Sequence, residues 1–239
     1  MLARGSVPKE LILCTVIPLP KDKNINVTDS VKYRGIALSF IYSKMLDLII
    51  LSRYGDKFGT SELQFEFKRK RSTNICTMVL KETLSYYANN DETVYCTFLD
   101  ATKAFDRVDC VKRFKLLVDR MLPPVSVRLL LYMYTSHVCR VSWNGGCSVR
   151  FFCFKWCQAR CSYQLCTFLC IYFDKLLDKL TEAGVGCYIG NIFVGALAYA
   201  DDIVLLVPTA RAIRLMLGIC DHYALEYSFL FNAKKTNCI

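Results

Sequence analysis

The order of hydrophobic and polar positions along the chain predicts helices and strands in a mixed sequence. Apolar residues at helical spacing predict helices, and short β-rich apolar runs between loop signals predict strands. The predicted helices are 36–53, 74–87, 109–121, 125–135, 171–181 and 211–227. Strands are predicted at 11–18, at 93–99 and within 187–208, with a hairpin turn at Asn144 and Gly145. Because strands and helices mix without strict βαβ alternation, the pattern favours an α+β fold.

Two adjacent aspartates interrupt the apolar stretch "GALAYADDIVLL", residues 195–206. Asp201 and Asp202 are expected at a hairpin turn, and the predicted strand 93–99 stops at Asp100. Neighbouring carboxylates near a core are costly unless a positive charge compensates them. No Lys or Arg occurs from residue 195 to residue 208, which leaves a bound cation as the candidate.

The three aspartates converge at a sheet edge if their two strands are neighbours. Carboxylate oxygens suit Mg²⁺, and two such ions can activate an attacking oxygen and stabilise a leaving one in phosphoryl transfer. An isolated Asp-Asp pair would be a solvated turn, but the apolar flanks and the second acidic strand end favour a metal site. A phosphatase of the Asp-x-Asp kind is disfavoured, because Asp100-Ala101-Thr102 lacks the second aspartate.

Composition narrows the class of protein. The 239 residues are 54% hydrophobic, which is enough for a sizeable core and excludes a disordered chain. The net charge of +10 indicates either a solvated basic surface or a polyanionic partner such as nucleic acid. No window is apolar enough to span a bilayer, and the first residues do not form a signal peptide. The 14 cysteines are therefore expected to be reduced thiols of an intracellular protein, cytoplasmic or nuclear and not secreted.

A family resemblance appears when the acidic motifs are taken with their flanks. "FLDATKAFDRVD" and "ALAYADDIVLL" resemble the two metal-binding motifs of reverse transcriptases. "VPKEL", "IPLPKDKN", "YRGIALSFIYSK", "QFEFKRKRST" and "FNAKKT" occur in the order found in the non-LTR (LINE-type) retrotransposon branch. The resemblance covers nearly the whole chain. The palm of a viral RNA polymerase or an intron maturase would fit the metal site but not these flanks.

The resemblance implies a right-hand polymerase fold with an antiparallel palm sheet and packed helices. Residues 1–90 would form a fingers-like region, and residues 91–239 the palm, with finger-like insertions at about 110–150. No stretch resembles the thumb or endonuclease that accompany this module, so the chain is expected to be a fragment.

The implied activity is RNA-directed DNA polymerisation, in which a DNA primer is extended with dNTPs on an RNA template. Two Mg²⁺ or Mn²⁺ ions would be the cofactors, with Asp100, Asp201 and Asp202 as catalytic metal ligands. The remaining residues implied by the resemblance contact nucleotide or nucleic acid. They are Phe105, Arg34 and Lys235 for the nucleotide, and Lys68, Arg69, Lys70 and Arg71 for the nucleic acid. A core phenylalanine and solvated surface charges are the competing interpretations of these residues.

One segment departs from the family pattern. Between the acidic motifs the family has roughly Asn-Gly-Val-Arg-Gln-Gly-Gly-X-Leu-Ser-Pro, whereas this chain has "FFCFKWCQARCSYQLC", residues 151–166. Its cysteines lack the paired C-x₂-C spacing of zinc sites. Codons for residues 151–162 can be chosen so that a one-nucleotide shift spells nearly the missing motif, which indicates out-of-frame translation. Glu66 is a second departure, at a position where the family usually has Gly.

These departures leave two hypotheses open. In one, the chain is a working polymerase domain. In the other, it is a degenerate, non-catalytic remnant that at most binds nucleic acid, because bulky residues at glycine positions block close approach of the backbone to the nucleotide.

Overall fold

The computed structural model describes residues 7–21, 32–66, 68, 70–101, 110–152 and 163–239. The chain divides into two compact units that alternate along the sequence. Unit 1 comprises Met1–Lys57 and Phe114–Leu165, and unit 2 comprises Phe58–Arg113 and Cys166–Ile239. None of the helices within the described ranges is both long and apolar enough to cross a membrane. The assignment of 1–90 to fingers and 91–239 to palm stays a prediction.

The elements follow one another in a mixed order. The strands are β1 Leu13–Pro20, β2 Tyr33–Ser39, β3 Tyr95–Asp100, β4 Val138–Trp143, β5 Gly146–Cys147, β6 Phe151–Phe152, β7 Tyr188–Ile189, β8 Ile192–Phe193, β9 Ala196–Tyr199, β10 Asp202–Val207 and β11 Asn237–Cys238. The helices are α1 Ile41–Arg53, α2 Thr73–Asn89, α3 Cys110–Asp119, α4 Pro124–Thr135, α5 Tyr163–Glu182 and α6 Ala210–Tyr227, with 3₁₀ helices at Lys9–Ile12 and Gly55–Phe58. Antiparallel sheets with packed helices confirm the predicted α+β class.

Unit 1 is built on a sheet with the strand order β2-β1-β4-β5, in which β6 also pairs with β4. β1 runs antiparallel to β2 and parallel to β4. The alternating burial of β1 places Cys14 and Val16 in a small core with Ala37 and Cys139. The hairpin between β4 and β5 turns through Asn144 and Gly145, both with positive φ, as the sequence predicts.

One predicted helix begins too early. Residues 36–53 have apolar positions that suit a helix, but residues 33–39 form strand β2, and α1 starts only at Ile41. The seven-residue antiparallel ladder with β1 supplies backbone hydrogen bonds that outweigh local helix preference. Gly35 fits this pairing closely, since an added Cβ would lie 3.1 Å from Val16.

Unit 2 is built on an antiparallel sheet with the order β11-β3-β10-β9. β10 lies between β3 and β9, and Ile203, Leu205 and Leu206 are almost completely buried. This explains the long apolar run after the Asp-Asp pair, because a central strand covered on both faces does not alternate with polar residues.

Helices α2, α5 and α6 complete unit 2. Ser72 and Thr209 cap α2 and α6, each accepting a hydrogen bond from a backbone amide of the first turn. An aromatic cluster joins α5 to α6 and the following segment, with edge-to-face and stacked rings. Its members are Tyr172, Phe173, Tyr223, Tyr227 and Phe229.

A close backbone contact supports β9 and β10. Gly186 and Gly195 face each other, and a Cβ added at Gly195 would lie 2.5 Å from the Cα of Gly186. The Gly195 carbonyl accepts a hydrogen bond from the Leu206 amide at 2.8 Å. A side chain at either glycine would force the two backbone segments apart. The absence of side chains at both positions therefore allows the close backbone contact at the base of the β9–β10 hairpin.

We expect Gly195→Ala to destabilise the protein by about 2–3 kcal/mol, because its methyl group meets backbone that cannot rotate away. The matched control is Gly218→Ala at an exposed position of helix α6, where an added Cβ meets nothing within 4 Å. That change should stabilise by about 0.5–1 kcal/mol through helix propensity. Urea unfolding of the two variants measures both, and equal stabilities would contradict the close contact.

Candidate nucleotidyl-transfer site

The site begins with the pairing of two strands that each carry an acidic end. β3 and β10 are antiparallel, and Asp100 stands directly opposite Asp202. The prediction that the strand ending at Asp100 lies beside the Asp-Asp hairpin is confirmed. Asp201 occupies the turn between β9 and β10, one residue before Asp202. Like charges at directly opposed positions destabilise a sheet, so this register needs another favourable contribution.

The core supplies that contribution by holding the register. Ile203 pairs with Leu99 and Leu206 with Cys96, and all four side chains are buried. A slip of one residue would move Leu206 to the opposite face of the sheet and out of the buried cluster that it shares with Cys96 and Leu197. The burial of apolar residues along β10 therefore keeps Asp202 opposite Asp100 despite their repulsion.

Asp100 is engaged by the last part of the chain. Lys235 Nζ donates to one carboxylate oxygen at 2.9 Å, and Asn232 Nδ2 donates to the other at 3.3 Å. The backbone amide of Asn232 also donates to the backbone carbonyl of Asp100 at 2.7 Å. Further along the chain, β11 pairs with β3. Lys235 was predicted from the resemblance as a nucleotide-binding residue, and here it contacts a predicted metal ligand. Asn232 was not predicted, although it stands in the same motif, "FNAKKT".

The other two aspartates have less compensation. Burial, followed by the charge of Asp202, raises the pKa of Asp201 to about 6. Burial and the charge of Asp100 also raise the pKa of Asp202. The hydrogen bond and charge of Asp100 raise the pKa of Lys235, which keeps it protonated. The site thus has a surplus of negative charge concentrated at Asp201 and Asp202.

A fourth acid adds to this surplus. Burial, and then the charges of Asp201 and Asp202, raise the pKa of Glu66 to about 7. Its backbone amide donates to Gln64 Oε1 at 3.1 Å, in the segment that lies beside β9. Sequence comparison identified Glu66 as a departure from the family pattern but did not place it near the aspartates. Only the fold brings residue 66 to the hairpin.

Gln64 was also missed. It is completely buried, and its amide hydrogen bonds to both backbone groups of Ala200, the residue before Asp201. The only sequence signal was its position in "QFEFKRKRST", which suggested a basic loop and not a support for the aspartates.

The donor chemistry of the three aspartates fits a hard divalent cation. Uncompensated charge at half-buried Asp201 is the structural sign of this fit, since a cation would offset the burial and the repulsion that raise its pKa. As the described side chains stand, however, no group of three or more Asp, Glu, His or Cys is arranged to hold a metal ion. Lys235 currently supplies the positive charge at Asp100.

Two of the basic residues predicted to bind nucleic acid share an acidic partner. Lys68 lies 3.2 Å from Glu62, and Arg71 pairs with the same carboxylate. The Arg71 guanidinium also lies 5.1 Å from the centre of the Phe65 ring. Lys70 is exposed with a positive φ of 60°. Arg69 lies outside the described residues, and the nucleic-acid role of the cluster stays a prediction.

Two further predicted nucleotide contacts remain predictions as well. Arg34 is exposed on β2 of unit 1, opposite Leu19 of β1. Phe105 lies outside the described residues.

Comparison with known families decides the class of protein. Residues 19–239 match the family model described as reverse transcriptase (RNA-dependent DNA polymerase). The chain belongs to the reverse transcriptase family. By family it is an RNA-directed DNA polymerase, as the acidic motifs and their flanks predict.

A curated relative points to the retrotransposon branch of reverse transcriptases. The chain is 21% identical over 216 residues to the retrovirus-related Pol polyprotein from type-2 retrotransposable element R2DM of Drosophila melanogaster. The alignment covers 89% of this chain and 20% of the relative, so the chain spans about a fifth of that protein. The predicted resemblance to non-LTR elements is confirmed at this level.

Solved structures of telomerase share the fold of this reverse transcriptase domain. The Candida tropicalis telomerase, in complex with a fragment of telomeric RNA, superposes with a TM-score of 0.65 at 10% identity. The corresponding Candida albicans structure gives a TM-score of 0.62 at 10% identity. These alignments cover 98% and 97% of this chain, and 41% and 42% of the telomerase chains. At such identities the likeness concerns the fold alone.

The raised carboxyl pKa values predict that stability depends on pH. The folded chain holds protons on Glu66 and Asp201 more tightly than the unfolded chain, so the contribution of these two groups to stability is fully present below about pH 4 and is lost as pH rises through about 6 to 7. After allowance for solvent screening, Glu66→Gln should reduce the decrease in stability between low and high pH by about 1 kcal/mol. Thermal unfolding without divalent cations, at about pH 5 and about pH 8, measures the difference.

Glu82→Gln, at an exposed position on α2, is the matched control and should leave the pH dependence unchanged. A Glu66→Gln variant with the same pH dependence as the parent would show that residue 66 does not share the charge of the aspartates.

Proposed function

We propose that the Asp100–Asp201–Asp202 site catalyses primer extension with dNTPs on an RNA template, as in a LINE-type reverse transcriptase. The observation that carries this proposal is the register of β3 and β10, which sets Asp100 opposite Asp202 with Asp201 in the adjoining turn. Three carboxylates from two strand ends form a donor set suited to Mg²⁺ or Mn²⁺.

The proposed site would hold two divalent cations through the three aspartates. When bound, the cations supply Lewis acidity for the attacking 3′-oxygen and for the triphosphate leaving group. The chain's own residues position these groups. The core of β10 holds the aspartates in register, and Lys235 is an exposed ammonium that neutralises Asp100 and is available to phosphate oxygens when that contact is released.

The cations of the segment after Glu62 support contact with a nucleic acid. Lys68 and Arg71 share a single exposed carboxylate, so the pair carries a net positive charge even with its partner in place. Exposed ion pairs are weak and are screened by salt, and phosphate groups can therefore replace Glu62. The chain's net charge of +10 acts in the same direction.

The proposal predicts that primer extension depends on the turn aspartate. Asp201→Asn keeps the size of the side chain but removes its charge, and we expect the extension rate to fall by at least about 100-fold. Asp91→Asn is the matched control, because Asp91 is exposed and Asn tolerates its φ of 56°. Extension of an RNA-templated primer with Mg²⁺ measures both variants, and equal rates for the parent and Asp201→Asn would refute the proposed site.

A second candidate function is that of a degenerate remnant that binds nucleic acid without catalysis. Two observations favour it. Residues 151–166 lack every glycine of the family motif, and Glu66 places a fourth acid at the aspartates, where it repels the phosphates of nucleotide or template.

Restoring the segment distinguishes the two candidates. If residues 151–162 are replaced by Phe-Phe-Val-Leu-Asn-Gly-Val-Arg-Gln-Gly-Val-Leu, the remnant hypothesis predicts that extension rises by at least about 100-fold. Asp201→Asn in the restored chain should abolish the gain, which shows that it arises at the proposed site. Equal activity of the parent and restored chains, both dependent on Asp201, would reject the remnant hypothesis.

A further inference from the structure

The side chain of Gln64 grips the turn that carries Asp201. Its Nε2 donates to the Ala200 carbonyl at 3.3 Å, and its Oε1 accepts from the Ala200 amide at 3.1 Å. Oε1 also accepts from the Glu66 amide at 3.1 Å. Gln64 is 0% exposed, so these contacts have no competition from water at the surface.

Ala200 needs such support because of its backbone conformation. Its φ of 55° lies in the left-handed region, which is unfavourable for a residue with a Cβ. The Ala200 amide belongs to the peptide plane before its Cα, and its carbonyl belongs to the plane after it. By bonding to both, Gln64 restrains φ and ψ of Ala200 together. The second plane leads directly into Asp201, so its orientation sets the direction of the Asp201 side chain.

Gln64 can act as a fixed support because its own backbone is attached to the sheet. The Phe65 amide donates to the Ala198 carbonyl at 2.9 Å, and the Ala198 amide donates to the Leu63 carbonyl at 2.8 Å. Gln64 thus forms a parallel bridge with Ala198 at the free edge of β9. Phe65 is buried in the core of unit 2 beside Tyr87 and Leu197. The two-residue separation between Ala198 and Ala200 is spanned by the Gln64 side chain.

We propose that Gln64 is a positioning residue of the aspartate site, which holds Ala200 in its left-handed conformation and thereby aims the Asp201 carboxylate. This inference rests on the proposed function for the role of Asp201. It is not a role in chemistry, since Gln64 acts only through the turn. The segment 61–66 would then support the aspartate turn, a role that its position next to a basic cluster in the sequence does not indicate.

The task requires an amide of this length. Gln64→Met has a similar shape but neither donor nor acceptor, and it leaves the buried Ala200 groups without their partner. Gln64→Asn keeps the amide on a side chain one methylene shorter, which cannot reach both groups from the same backbone position. An effect of Asn intermediate between Gln and Met is therefore expected.

The chain offers a matched control for the loss of buried hydrogen bonds. The Tyr87 hydroxyl donates to the Tyr188 carbonyl at 3.1 Å and accepts from the Tyr188 amide at 2.9 Å, the same two-bond grip on a different hairpin of unit 2. Tyr87→Phe removes those bonds without touching the aspartates. It separates a general loss of stability from an effect at Asp201.

Two measurements on the metal-free and Mn²⁺-titrated chain test the proposal. Amide hydrogen exchange at Ala200 and Asp201 reports on the turn, and we expect it to be about tenfold faster in Gln64→Met and unchanged in Tyr87→Phe. Electron paramagnetic resonance of free Mn²⁺ gives cation affinity, which should fall by about tenfold in Gln64→Met, by less in Gln64→Asn and not at all in Tyr87→Phe. The Asp201→Asn variant serves as the reference, because the Mn²⁺ binding that it loses is the binding at the aspartate site.

The outcomes separate this inference from the proposed function. Unchanged exchange at the turn in folded Gln64→Met overturns the positioning role, as does faster exchange with unchanged Mn²⁺ affinity. If Gln64→Met does not fold, Gln64→Asn decides on the same two readouts. Parent and Asp201→Asn chains with equal Mn²⁺ affinity would overturn the proposed metal site, and turn exchange would then decide the Gln64–Ala200 restraint alone.

Discussion

The facing position of Asp100 and Asp202 across β3 and β10 is the constraint on which the rest of this site depends. Two like charges are held at directly opposed positions of one sheet, and a third, Asp201, follows in the turn. The arrangement is unfavourable by itself, and it persists because the register is determined by buried apolar side chains further along the strands. Hydrophobic burial thus maintains repulsion between carboxylates at the end of the sheet, and a cationic ligand can reduce that repulsion there.

The negative charges of the three aspartates are compensated unevenly. Asp100 has a lysine and an asparagine as partners, both delivered by the segment that returns along β3. Asp201 and Asp202 have no such pairing in the contacts described, and burial together with the charge of a neighbouring aspartate raises the pKa of each. The exposed Lys235 contact is easily exchanged because water and salt compete for it. Asp100 therefore has the strongest charge compensation of the three aspartates, but its partner Lys235 is exposed and readily displaced.

The departures from the family pattern lie outside the three aspartates of the site. All three predicted metal ligands are present, and Gln64 hydrogen bonds to the turn that carries one of them. Glu66 introduces a charge beside that turn, where the family usually has a residue with no side chain. Residues 151–166 replace small residues with aromatic ones. The chain thus has the reverse transcriptase fold with these departures in its sequence.

The sequence by itself determined the features that depend on neighbouring residues. Apolar periodicity predicted α2 and α6 closely, the Asn144-Gly145 turn predicted its hairpin, and the acidic motifs predicted that a strand ends at Asp100 and that the Asp-Asp pair lies at a hairpin. The start of α1 was wrong because β2 takes its hydrogen bonds from another strand. Only the tertiary structure decided that Lys235 meets Asp100 across 135 positions and that Gln64 meets Ala200 across 136. Such contacts leave no local pattern, because each partner's own segment would look the same without the other, and they exist only when the sheet brings distant strand ends together.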